Sequence, residues 1–198
     1  QEVVLGLNHL LHDGKIDAVP IYVDSPLATN LTHVFKHHPE CYDEGALAFL
    51  QEHGDPFGFD SLTYTQSVQE SIALNTTPGP MVIISASGMC EAGRIVHHLR
   101  NNIESSENTI VIVGFQAQHT LGRRLVERRD QVKIFGVKRD LRARVEVLNG
   151  FSAHAGRNGL IEYAKLAGPG SKKVFLVHGE EDAQQSLSEA LQKRNMTV

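Results

Sequence analysis

The chain has 198 residues, 41% of them hydrophobic and 21% charged, so it can bury an ordinary domain core and does not have the composition of a disordered chain. Its net charge of −4 excludes a polycation, so contact with nucleic acid has to come from local Arg and Lys clusters. No apolar run approaches the ~20 residues of a membrane span, and no charged stretch followed by an apolar one opens the chain, so neither a membrane segment nor a signal peptide is expected.

Residues Gln1 to Leu7 read as the inside of an amphipathic helix, and without an initiator Met the sequence is expected to be a piece of something longer. Val19 to Val23 is a short strand running into Asp24-Ser25-Pro26, then a helix from Leu27 to about Lys36. Glu40 to Thr77 looks mainly helical, interrupted by the breakers Gly54-Asp55-Pro56. Met81 to Ile84 is a second strand, followed by Ser85-Ala86-Ser87-Gly88 and a helix from about Cys90 to Asn101. Thr109 to Val113 is a third, followed by Gly114-Phe115-Gln116 and a helix from about Thr120 to Arg128. Short apolar strands alternating with helices predict an α/β fold with a mostly parallel sheet covered on both faces.

The pattern changes after Asp130. Val132 to Phe135 and Arg142 to Val147 read as two strands, paired as an antiparallel ribbon or edge. Phe151-Ser152-Ala153-His154 precedes a helix from about Arg157 to Ala167, which Gly168-Pro169-Gly170 stops. Lys173 to Val177 reads as a buried strand ending in His178-Gly179-Glu180, before a last helix from about Asp182 to Arg194. A boundary falls near Leu148, giving a first domain of residues 1–150 and a second of 151–198. Cys41 and Cys90 match no metal or redox spacing and are expected as free thiols in a reducing, cytoplasmic compartment.

In parallel sheets, ligands gather at the carboxyl ends of the strands. Ser85, Ser87 and Gly88 form a small-residue loop that lets a substrate backbone come close, and Arg94, about one turn into the next helix, could pair with a phosphate. Arg123 and Arg124 repeat the theme after the third strand. Asp24 is expected as a cap or structural carboxylate, and His97 and His98 as packing or surface residues. His154 and His178, at equivalent strand ends, are the stronger candidates for a site. Two histidines alone do not make a catalytic zinc centre, which needs at least three protein ligands.

Together the segments Ile21 to Ala28, Ser85 to Met89, Gly114 to Ala117, Phe151 to His154 and Val177 to Glu180, with the two histidines 24 positions apart, resemble the metallo-β-lactamase/β-CASP nucleases, such as the cleavage and polyadenylation factor endonucleases. The resemblance covers essentially the whole chain. It implies that residues 1 to about 150 are most of a β-CASP insert forming one wall of an RNA cleft. Residues from about 151 onward would be the returning, partial αββα end of a metallo-β-lactamase domain.

It further implies that His178 is a zinc ligand, and that His154 acts near the scissile phosphate. Ser85, Ser87, Gly88, Arg94 and Arg123 would position the backbone of single-stranded RNA, or of DNA. Two zinc ions ~3.5–4 Å apart would hold the attacking hydroxide.

The family's His-x-His-x-Asp-His motif does not occur in the chain. The isolated stretch is therefore expected to be inactive unless joined to the missing metallo-β-lactamase portion, with a homodimer through exposed apolar surface as a further expectation. Gly156 stands where relatives usually have Asp, which motivates a rival reading as a non-catalytic β-CASP paralogue that binds RNA or protein. A free-standing nucleotide-binding domain would need a Gly-x-Gly-x-x-Gly turn after the first strand, which is absent.

Overall fold

A computed structural model describes residues 1–151, 154–168 and 173–198. Ser152 and Ala153 of the Phe151-to-His154 motif, and Pro169 and Gly170 of the expected helix stop, lie outside the described residues. The chain divides into two compact units, Gln1–Phe151 and Ser152–Val198.

In the first unit, β1 (Ile21–Asp24) is central, pairing in parallel with β2 (Leu62–Tyr64) on one side and β3 (Val82–Ser85) on the other. Its central place explains why Ile21, Val23 and Asp24 are all buried. Helix α1 (Glu2–His12) packs Val4 and Leu5 against Val23, Phe57 and Tyr64. Helix α2 (Pro26–His37) begins as its sequence dictates. The Ser25 hydroxyl accepts from the Ala28 amide at 3.2 Å, and Pro26 occupies the first turn, where its missing N–H costs nothing. Asp43 caps α3 (Glu44–His53) in the same way, and Ser67 with Glu70 forms a reciprocal capping box on α4 (Val68–Leu74).

A second cluster lies beneath α5 (Arg94–Asn102), β4 (Thr109–Ile112) and α6 (Leu121–Val126), with β5 (Gln131–Ile134), β6 (Val137–Asp140) and β7 (Arg144–Val147). Its buried centre includes Val96, Leu99, Ile103, Leu125, Ile134 and Val145.

The α/β class with a parallel sheet is as expected, but three local expectations are corrected in this unit. Leu62–Tyr64 is a strand inside the stretch read as mainly helical; three residues are too few to show periodicity. The expected pairing of residues 132–135 with 142–147 does not form. Instead β5 turns back on β6 through Phe135 and Gly136, both at positive φ (49° and 77°), as a two-residue hairpin requires. Strand β7 then runs parallel to β4, with Ile110 opposite Val145. Finally, α5 starts at Arg94 rather than near Cys90, because Gly93 sits at φ 80°. A Cβ at Gly93 would come 2.5 Å from the Ala86 carbonyl oxygen, so this turn requires glycine.

In the second unit, α7 (Arg157–Ala167) packs on α8 (Glu181–Gln192) through Ile161, Ala190 and Leu191. Lys173 to Val177 is not a ladder strand among the described residues, contrary to expectation. It is held by a bond from the Val174 amide to the Thr197 carbonyl at 2.8 Å. Val174 and Leu176 turn inward, while Phe175 and Val177 are about three-quarters exposed (75% and 74%). The apolar alternation that reads as a strand is therefore half satisfied within this unit. No helix is long and apolar enough to cross a membrane among the described residues.

Candidate functional site

The carboxyl end of β1 holds a buried charge cluster centred on Asp24. Its Oδ1 accepts from the Thr65 hydroxyl and, at 2.6 Å, from the Arg94 guanidinium. Its Oδ2 accepts from the Ser71 hydroxyl at 2.6 Å and faces Nε2 of His98 at 2.7 Å. Burial opposes ionisation of this carboxyl, but the four donors more than offset it and hold Asp24 below the usual carboxylate range. Asp24 is thus the structural carboxylate its sequence suggests, although the cap of α2 is the neighbouring Ser25.

Arg94 and His98 reach Asp24 together because they are four apart on one face of α5. Sequence reasoning missed His98 as a member of this cluster; its spacing from Arg94 was the available signal. Its Nδ1 lies 2.9 Å from the side-chain Oδ1 of Asn75, and the Asn75 side-chain Nδ2 donates to the Ser71 carbonyl. Arg94 is the first residue of its helix rather than one turn in. Its second terminal nitrogen donates to the Gln66 carbonyl at 2.8 Å, and the side chain is 18% exposed. A phosphate reaching Arg94 would have to compete with these bonds.

The loops following β3 and β4 are joined to each other. Buried Gln116 donates from Nε2 to the carbonyls of Gly88, Gly114 and Phe115 at 2.8–3.1 Å. The Gly122 amide donates to the Met89 carbonyl at 3.0 Å, and the Leu121 amide to a Glu91 carboxyl oxygen. Within this frame Ser85 donates to the Asp24 carbonyl at 3.0 Å, and the Ser87 amide donates to the Ala92 carbonyl at 3.1 Å. Gly88 faces open space. The structure therefore brings Ser85, Ser87 and Gly88 into one turn beside the Gln116 loop. Arg123 stands on α6, where its Nε donates to Glu127 at 2.9 Å. No sequence pattern singled out Gln116 as the joint.

In the second unit, His154 and His178 are both exposed, and each precedes the first residue of a helix by three positions: α7 at Arg157 and α8 at Glu181. His178 lies at φ 69°, and its carbonyl accepts from the Gln184 side chain at 2.9 Å. With Arg157 it lines a largely apolar cavity of about 780 Å³ that also includes Tyr163, Phe175 and Leu187. Gly156 occupies the N-cap of α7 in extended conformation, supplies no side-chain bond, and has open space where a Cβ would stand. Among the described residues no group of three or more His, Cys, Asp or Glu side chains is placed to share a metal ion.

Comparison with known proteins adds the following. Residues 1–125 match the Beta-Casp domain, and residues 138–198 match the Zn-dependent metallo-hydrolase RNA specificity domain. Ribonuclease TTHA0252 of Thermus thermophilus is 36% identical over 187 residues, covering 94% of this chain and 42% of the relative. An RNase J-like protein of Methanocaldococcus jannaschii is 31% identical, covering 96% and 42%. Transcription termination factor FttA of Methanosarcina mazei is 30% identical, covering 98% and 31%. The chain thus spans between about a third and two-fifths of the length of these relatives.

Proposed function

We propose that this chain, which belongs to the β-CASP family, is part of a metal-dependent ribonuclease that hydrolyses RNA phosphodiester bonds. The observation that carries the reading is the placement of His154 and His178. Both are exposed at loop-to-helix turns, within the stretch that matches an RNA specificity domain of Zn-dependent metallo-hydrolases. His154 would deliver a proton to the leaving oxygen, a role that contributes on the order of 10²–10⁴-fold. The Ser85-to-Gly88 turn, braced by Gln116, offers a surface where an RNA backbone can come close, with Arg123 beside it on α6.

The described residues do not assemble three ligands, so this stretch alone does not fit a catalytic zinc centre. His178 is the ligand it would contribute to a zinc pair whose other ligands lie in a metallo-β-lactamase portion outside these residues. The test sets the 198-residue chain beside the full-length gene product and measures zinc content and cleavage of labelled single-stranded RNA. Two zincs and cleavage in the full-length product alone are expected. A zinc-loaded full-length product that leaves RNA intact would sink the reading.

The bare N-cap at Gly156 favours a second reading, a non-catalytic paralogue that binds RNA. An intact His-x-His-x-Asp-His motif in the parent gene argues against it.

A further inference from the structure

The tip of the β5–β6 hairpin carries features that the fold does not explain. Phe135 has φ 49°, a left-handed conformation that favours Asn or Gly, and its side chain is 56% exposed. The two-residue turn accounts for this backbone, but it does not call for an aromatic side chain left exposed at its tip, and that exposed ring points towards a partner. The ring lies 4.8 Å from the His97 ring, and the Arg100 guanidinium carbon lies 6.0 Å from its centroid. On the exposed face of the hairpin Lys133 stands directly opposite Lys138, a like-charge cross-strand pair that disfavours the fold.

Nearby arginines are treated differently. Arg139, Arg142 and Arg144 are each paired, with Glu104, Asp140 and Glu146. Among the described residues Arg100, Lys133 and Lys138 have no carboxylate partner. A chain of net charge −4 therefore carries three cations without a carboxylate partner on this hairpin and the adjoining helix α5, with Arg100 over the exposed Phe135 ring and Lys133 and Lys138 on the hairpin's outer face. Single-stranded nucleic acid is the partner whose chemistry matches. Its bases stack on aromatic faces and on Arg planes, and its phosphates meet cations at short spacing.

We propose that the Phe135 hairpin tip is a stacking platform for single-stranded RNA. A base lies on the Phe135 ring, and Arg100, Lys133 and Lys138 meet the flanking phosphates. The proposal deepens the RNA reading above by naming a contact surface for the strand.

The chain contains no tryptophan, so Phe135→Trp puts a single indole at the tip. Titration with a twelve-residue oligouridylate reads stacking by indole quenching, and anisotropy of a labelled copy reads binding. Quenching and anisotropy are expected to saturate together. Phe135→Gly keeps the left-handed backbone without the ring and is expected to weaken binding about 5- to 100-fold. Lys133→Ser with Lys138→Ser should flatten the salt dependence of log K by about 1.4, while the melting temperature holds or rises. Heparin, a polyanion without bases, should bind without quenching.

Four results would overturn the platform: anisotropy without quenching, equal quenching by heparin, unchanged affinity in a folded Phe135→Gly variant, or no binding of oligouridylate at low salt. The last would leave a protein as the partner of this patch. The nuclease reading is scored separately, by cleavage with the zinc-loaded full-length product, so either can fail while the other stands.

Discussion

Nε2 of His98 lies 2.7 Å from Oδ2 of Asp24, and both side chains are buried. The contact joins the end of the central strand β1 to helix α5, and with Thr65, Ser71 and Arg94 it ties three other segments to one carboxylate. Removing one member of such a cluster leaves the others desolvated without their partner, which is why its loss costs more than an exposed ion pair does.

Asp24→Asn is expected to destabilise the first unit by about 3–5 kcal/mol, read from urea unfolding at pH 7. Because the folded-state pKa of Asp24 is depressed, its contribution is present above the unfolded value near 3.8 and is lost as pH falls through the lower folded value. The gap between the natural protein and the variant should therefore narrow on acidification below about pH 4. A gap that stays constant down to pH 2 would show that Asp24 is not the titrating group.

Gly122→Ala should disturb the joint between the two loops. An added Cβ would collide with the Gln116 side-chain oxygen and come 3.1 Å from the Met89 carbonyl oxygen. Gln116 cannot swing aside without giving up its bonds to three carbonyls. A loss of about 1–3 kcal/mol is expected, measured by thermal unfolding; no change would mean that the joint is loose.

In the full-length product, His178→Ala should lower both zinc content and cleavage. His154→Ala should keep the zinc and slow cleavage about 10²–10⁴-fold. Metal analysis beside single-turnover rates separates the two roles. Loss of zinc in the His154 variant would make it a ligand instead.

The N-terminus of α7 leaves room for improvement. Gly156→Asp fits the extended backbone and the open space at the cap, and should add about 0.5–1 kcal/mol through a side-chain cap and the helix dipole. Gly159→Ala meets only an ordinary 3.5 Å contact with the Ala155 methyl and should add a similar amount, roughly 0.5–1 kcal/mol. Each should raise the melting temperature by about 1–4 °C.

Burial, reinforced by Glu91, pushes the Cys90 thiol up to about 11, whereas Cys41 is exposed. Ellman's reagent at pH 8 should therefore titrate one thiol quickly in the native chain and two after unfolding. Two fast thiols in the folded protein would mean that the Cys90 loop opens readily.

Much of the fold is written locally. Pro26 after Ser25 and the apolar runs at 21–23 and 82–84 announce a helix start and two strands through bonds and periodicities within a few residues. Those elements form as expected. Two of the errors share one physical origin. Whether Arg144 to Val147 pairs with β5 or with β4 depends on which edge is free, and no local pattern records that. Lys173 to Val177 has the alternation of a strand, yet a strand also needs a neighbour, and among the described residues only Val174 donates to one, at Thr197.

The site divides along the same line. Residue type and spacing alone marked His154, His178 and the small-residue turn at Ser85 to Gly88, because those chemistries are rare at such positions. Only the tertiary structure decided that Arg94 turns inward to Asp24, that His98 joins it, and that Gln116 locks two loops together. A side chain's direction is set by the desolvated partner that it must satisfy, and that partner lies as many as 74 positions away in the chain.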